Sequence, residues 1–241
     1  MTRPAERSSR LVNLLDQRGA RTIVAPTIVL RPVRSAALTA ALRNLAAGRF
    51  AWILLTSPAT VGMLADRLDG ARDVRASVAA VGDGTAESFR RWARREPDLR
   101  PRTFTVAALA RAFPRGRGRV LCPRADIAPA GLEEALTTKG WTAERVDAYR
   151  TRFPERLAAP ARRALEAGEV DAITFTSAST VRGFVAAGGT LSRGIKVVCI
   201  GPTTAKEARA QGFRVHGTAD PHTTDGLVVA LERAVGAGQR A

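Results

Sequence analysis

A chain of 241 residues with 45% hydrophobic side chains can bury one large core or two modest ones. Its formal charge of +16 is almost wholly arginine, the lysines being Lys139, Lys196 and Lys206; it reflects either compositional bias or an acidic partner such as nucleic acid, anionic lipid or a polycarboxylate. The arginines are scattered apart from residues 115–119, which read as a solvated loop, and aromatics at 5% argue against a nucleic-acid stacking platform.

No N-terminal apolar region resembles a signal peptide, and no apolar run is long enough to span a bilayer, so no membrane partner and a cytoplasmic location are expected. Residues 5–17 carry Leu11, Leu14 and Leu15 at helical spacing, and Gly19 ends that helix. Residues 22–25 read as a strand, with a second extended piece over 27–31 after Pro26. Pro32 and Ser35 prepare a helix through Leu45, closed by Gly48. The pattern continues as strand 51–56, helix 58–68, strand 77–81, helix 85–95, a strand near Phe104 and helix 106–113. A second pass gives strand 119–122, helix 129–138, strand 143–149 and helix 155–166. Strand 172–175, helix 179–187, strand 195–200, helix 203–211, strand 213–216 and helix 225–234 complete it. Strict alternation of strand and helix predicts parallel sheets covered by helices on both faces. Cys122 and Cys199 lie in apolar runs and read as reduced core residues, not as a disulfide or a metal pair.

The two passes repeat each other. Residues 51–64 and 171–184 align at an offset of 120, placing Thr56-Ser57 on Thr176-Ser177 and Thr60-Val61 on Thr180-Val181. Residues 81–86 map onto 200–205 at 119, and Thr105 and Leu109 onto Thr223 and Leu227 at 118. Arg3, Leu11, Leu15 and Gly19 map onto Arg124, Leu132, Leu136 and Gly140 at 121. Units of about half the chain are too long for a solenoid, so the pattern predicts a duplicated α/β domain.

No H-E-x-x-H, paired-cysteine or P-loop motif occurs, and Gly82-Asp83-Gly84 lacks the third glycine of a dinucleotide fingerprint because Glu87 takes its place. No metal is expected. The two histidines, His216 and His222, read as a strand end and a loop, not a dyad. What remains is a set of strand-to-helix loops rich in hydroxyls: Thr56-Ser57, Thr85, Thr105, Ser177 with Ser179, Thr203-Thr204 and Thr223. Each could be simply a helix cap. Together, at the carboxyl ends of parallel strands, they are expected to converge on one cleft that binds an anion.

These residues closely resemble the uroporphyrinogen-III synthase family. The resemblance runs from Thr2 to about Leu231 through Thr2-Arg3-Pro4, Leu55-Thr56-Ser57-Pro58, Val81-Gly82-x-x-Thr85-Ala86 and Leu121-Cys122-Pro123-Arg124. It continues through Val146-x-x-Tyr149-Arg150-Thr151, Phe175-Thr176-Ser177-x-Ser179-x-Val181, Ile200-Gly201-Pro202-Thr203-Thr204-Ala205 and Thr223-x-x-Gly226-Leu227. It implies an α/β fold of two doubly wound parallel-sheet domains joined by a two-stranded linker, one domain being discontinuous. The expected domains are 1–31 with 152–241, and 33–150. It further implies a monomer that uses no cofactor and converts hydroxymethylbilane, a linear tetrapyrrole with eight carboxylates, into uroporphyrinogen III. Water is lost, ring D is inverted and the macrocycle closes. Tyr149 matches the family's cleft tyrosine, and Thr56, Ser57, Thr85, Ser177, Ser179, Thr203, Thr204 and Thr223 are the implied substrate contacts.

Ala59 stands where some relatives have a basic or amide side chain, so one carboxylate contact is expected to be missing. The counterpart of strand 119–122 is also missing, since only Met1 precedes Thr2-Arg3-Pro4. That gap leads to the expectation that the natural product begins upstream with further apolar residues. The competing reading is a non-catalytic or regulatory two-domain anion-binding protein on the same fold.

Overall fold

The computed structural model describes residues 1–4 and 8–236; residues 5–7 of the first expected helix and the tail 237–241 lie outside it. The chain forms two compact units, a middle unit of residues 31–151 and a terminal unit of residues 1–30 with 152–241. The first elements are α1 (Ser9–Asp16), β1 (Val29–Pro32), α2 (Ala36–Ala46), β2 (Trp52–Leu55), α3 (Pro58–Ala65) and α4 (Gly70–Asp73). Next come β3 (Ser77–Ala80), α5 (Asp83–Ala93), α6 (Val106–Ala112), β4 (Arg119–Ala125), α7 (Leu132–Thr137) and β5 (Thr142–Arg152). The chain ends with α8 (Ala159–Glu166), β6 (Ala172–Phe175), α9 (Ala178–Ala186), β7 (Lys196–Cys199), α10 (Pro202–Ala210), β8 (Val215–Thr218) and α11 (Thr224–Gly236).

One sheet has the order β1-β5-β4-β2-β3 and the other β6-β7-β8. The pairs β2/β3, β2/β4, β4/β5, β6/β7 and β7/β8 are all parallel. Alternation along the middle strands then sorts the core into two layers. Ile53, Leu55, Val78 and Leu121 pack with α2, α3 and α5, whereas Leu54, Ala79, Val120 and Cys122 pack with α6 and α7. The terminal sheet repeats this: Ile173, Phe175, Val197 and Cys199 face α9 and α10, and Val198 faces α1 and α11. Both cysteines are free and buried, each in its own unit. No described helix is long and apolar enough to cross a membrane.

Two expected strands are absent. Residues 22–25 are not a strand: their backbone bonds Met1, through Met1 N–H to Ile23 O (2.7 Å) and Ala25 N–H to Met1 O (2.8 Å). β-branched composition does not make a strand where no ladder partner runs alongside. The strand expected near Phe104 is replaced by an isolated bridge between Ala79 and Leu99, five residues earlier. The short α4 is an additional element, closed by the carboxylates of Asp69 just before it and Asp73 at its end, Asp69 N–H donating to Asp73 and Arg72 N–H to Asp69.

Candidate functional site

In each unit a parallel strand ends, the chain turns, and a helix starts on a hydroxyl or a glycine. Ser57 is extended, and its Oγ accepts the Thr60 N–H at 3.1 Å, while Pro58 fills the first helical position, where no N–H is needed. Ser177 does the same for α9 in a reciprocal box, Thr180 N–H donating to Ser177 Oγ and Ser177 N–H donating to Thr180 Oγ1, both at 3.2 Å. Gly82 and Gly201 stand at the starts of α5 and α10. Thr105 Oγ1 accepts Ala108 N–H, and Thr223 Oγ1 accepts Gly226 N–H, both at 3.1 Å.

These caps engage three of the eight implied hydroxyls, those of Ser57, Ser177 and Thr223. Ser179 Oγ lies 2.9 Å from Ser177 Oγ, in a pair within the loop. Thr85 and Thr204, at equivalent places in α5 and α10, turn into the interior at 3% and 4% exposure, whereas Thr203 is exposed and Thr56 half-buried. The groups left for an anion are therefore chiefly first-turn backbone N–H groups, which have no partner within a helix. The Ala59 side chain is buried and carries no polar atom.

The middle unit adds a phenol. β4 and β5 run in register to Arg124 opposite Asp147 and then shift, so that Ala125 pairs with Tyr149. Ala148 is thus an extra residue, a bulge, and it resets which side chains face inward: Val146 and Ala148 before it, Tyr149 and Thr151 after it. Asp126 holds the strand beyond the bulge, donating its N–H to Tyr149 O (3.1 Å) and accepting Thr151 N–H on Oδ1 (2.8 Å). Tyr149 is 6% exposed, and its hydroxyl lies 3.0 Å from Ser57 Oγ, which is also 3.1 Å from Thr60 Oγ1. Each of these oxygens can donate or accept. Two residues implied for the site, Ser57 and Tyr149, are thereby brought together from strands that are not neighbours in the sheet.

The thiols and one imidazole are unsuited to chemistry here. Burial pushes Cys122 and Cys199 up to about 12, so both stay protonated near neutrality. His216 lies in β8, where its Nδ1 accepts Val197 N–H at 3.0 Å; desolvation, with Lys196 and Arg214 nearby, lowers its pKa. His222 sits in the loop before α11, its Nδ1 2.6 Å from Ala219 O. The structure also singles out an arginine pair that composition alone did not. Arg3 donates to Thr224 Oγ1 at 3.3 Å, at the start of α11, whereas its repeat counterpart Arg124 is buried against Glu133.

The family model described as Uroporphyrinogen-III synthase HemD matches residues 9–229. A uroporphyrinogen-III synthase of Synechococcus elongatus is 30% identical over 249 residues, covering 96% of this chain and 93% of that protein. The porphyrin biosynthesis protein HemD of Ruminiclostridium josui is also 30% identical, over 238 residues; these are 95% of this chain but 46% of that protein, so the chain spans about half of that longer relative. Among solved structures, a uroporphyrinogen III synthase of Thermus thermophilus superposes with a TM-score of 0.67 at 22% identity over 96% of both chains. The Helicobacter pylori enzyme gives 0.58 at 17% identity, over 89% of this chain and 94% of that one. Both share the fold.

Proposed function

Because the chain belongs to the uroporphyrinogen-III synthase family and serves porphyrin biosynthesis, we propose that it closes hydroxymethylbilane to uroporphyrinogen III, with loss of water and inversion of ring D. The observation that carries this reading is the Tyr149–Ser57 hydroxyl pair at the end of the bulged strand, beside the start of α3.

The reaction asks little acid–base chemistry of a protein. A pyrrole nitrogen lone pair pushes out the terminal hydroxyl; the C–O bond breaks, and the hydroxyl leaves as water with one added proton. The electrophilic azafulvene that remains is attacked through the substituted carbon of ring D. Thr60 N–H donates to Ser57, Ser57 O–H donates to Tyr149, and the Tyr149 O–H then points its proton at the departing hydroxyl. Such a chain of donors polarises each member towards the leaving group. Holding the linear substrate in the arrangement that favours the substituted carbon is the larger task.

The eight carboxylates call for many anion contacts. The first-turn N–H groups of α3, α5, α9, α10 and α11, with Thr56, Ser57, Thr85, Ser177, Ser179, Thr203, Thr204 and Thr223 shaping those turns, are assigned that role, supported by a net charge of +16. No resident cofactor takes part. Tyr149→Phe tests the assignment: turnover should drop about tenfold, less than the ~10²–10⁴ of full general-acid catalysis, because the substrate's own electrons drive departure. Unchanged turnover in a folded Tyr149→Phe protein would reduce the phenol to a packing group.

A further inference from the structure

β5 outlasts the strand beside it. β4 ends at Ala125, where the chain turns off the sheet with Ala128 N–H donating to Ala125 O at 3.1 Å, whereas β5 runs on to Arg152. In a parallel ladder a residue donates its N–H to one carbonyl of the facing strand and accepts, on its own carbonyl, the N–H two residues further along. Asp126 keeps the first half of that rung, donating to Tyr149 O at 3.1 Å. Its carbonyl has left the ladder with the turn and accepts from Arg145 Nη2 at 3.3 Å. The carboxylate takes the vacated place: Oδ1 accepts Thr151 N–H at 2.8 Å and, within the turn, Ile127 N–H at 2.9 Å. One side chain thus extends the ladder by a half-rung that the backbone of β4 no longer supplies.

That rung lies directly past the bulge at Ala148. On the other side of β5, Val33 N–H, just after β1, donates to Ala148 O at 3.2 Å. Val33 therefore holds the bulged residue, and Asp126 holds the residues that the bulge has turned inward. The backbone of a strand sets the direction in which its side chains leave. Whatever fixes residues 149–151 therefore fixes where the phenol goes, and its hydroxyl lies 3.0 Å from Ser57 Oγ. All of these groups belong to the middle unit. We propose that Asp126 is a positioning residue, whose carboxylate aims the Tyr149 phenol at Ser57 by standing in for a ladder carbonyl. It acts through Tyr149, as an acceptor and not as a charge, and its effect on turnover rests on the reaction proposed above.

Tyr149 is the only tyrosine in the sequence, so carbon-13 at tyrosine Cζ gives one signal that reports the hydroxyl's partners. Asp126→Ala should move that signal towards its position in Ser57→Ala, and Asp126→Asn, whose amide oxygen still accepts both N–H groups, should leave it near wild type. Should Asp126→Ala fail to fold, Asp126→Glu, which keeps the charge but carries the acceptor one methylene too far, decides by the same criterion. In turnover of hydroxymethylbilane, Asp126→Ala should lower kcat about tenfold, as Tyr149→Phe does, with little change in KM. Asp126→Asn should stay within about twofold of wild type, and Asp126→Ala with Tyr149→Phe should be no slower than Tyr149→Phe alone, because both act through one phenol. A Cζ signal unmoved in folded Asp126→Ala overturns the proposal, as does a double variant slower by the product of the two single losses. A wild-type chain that forms no uroporphyrinogen III overturns the reaction instead, and the Cζ signal still judges the positioning.

Discussion

The segment that follows α7 in one repeat and α1 in the other is built in two ways. In the middle unit it is β5, an eleven-residue strand in continuous register with β4 as far as the bulge at Ala148. In the terminal unit its repeat counterpart, from Thr22 to Thr27, pairs with no described strand and bonds the backbone of Met1 and Thr2, and Thr2 Oγ1 in turn donates to Thr174 O of β6 at 2.7 Å. That segment is held by a helix instead. Thr27 Oγ1 donates to Thr180 O of α9 at 2.7 Å, and Gly183 lets the two backbones meet. The apolar, β-branched stretch 22–27 thus stays a loop while the charge-rich β5 forms a strand, so what runs beside a segment outweighs its composition, and here a helix face opened by a glycine takes the place of a ladder.

The sharpest way to break this comparison is at that glycine. A Cβ on Gly183 would lie 1.9 Å from Thr27 O, a backbone atom that cannot swing aside. Gly183→Ala should therefore cost about 3–5 kcal/mol of stability in denaturant unfolding, near the top of what single substitutions do. Met63, which repeats as Gly183, is half-buried in α3, and Met63→Ala should cost about 1–2 kcal/mol. Equal costs would show that the α9 contact does not hold the terminal segment.

The paired arginines give the next effect. Arg124 is 1% exposed, with Nη1 at 3.0 and 3.1 Å from the two Glu133 oxygens and with Nε unpartnered among the described residues. Neutralising Glu133 leaves that guanidinium buried and uncompensated, so Glu133→Gln should cost about 3 kcal/mol. Arg3 is less buried and bonds a hydroxyl, so Thr224→Val should cost about 1 kcal/mol or less. Thermal unfolding of both variants checks the ordering, and a larger loss from Thr224→Val would reverse the account of the two copies.

The smallest expected difference is in pH dependence. Each unit holds a thiol raised by burial from an ordinary 9.0 to about 12. The unfolded chain releases these protons first, so stability is intact below pH 9 and is lost as pH climbs from 9 towards 12. The slope should be about 1.4 kcal/mol per pH unit for each thiol, and Cys122→Ala should remove one thiol's share of it. An unchanged slope in Cys122→Ala would show that this thiol ionises as easily folded as unfolded.

Much of the site could be read in the sequence because the chain repeats itself. Thr56-Ser57 and Thr176-Ser177 recur at one offset, and both serines cap helices where parallel strands end. The tie between Tyr149 and Ser57 could not be read, because it depends on the bulge at Ala148, and nothing in the local composition marks where a register slips. The burial of Thr85 and Thr204 was equally hidden, since a threonine near a helix start can face either way.

The central claim is the direction of ring closure, and product isomers report it directly. Purified chain incubated with freshly made hydroxymethylbilane, oxidised and separated by chromatography, should yield mainly the type III isomer in proportion to the protein added. Unassisted closure gives the non-inverted type I isomer. Type I alone, at the rate seen without protein, would contradict the account.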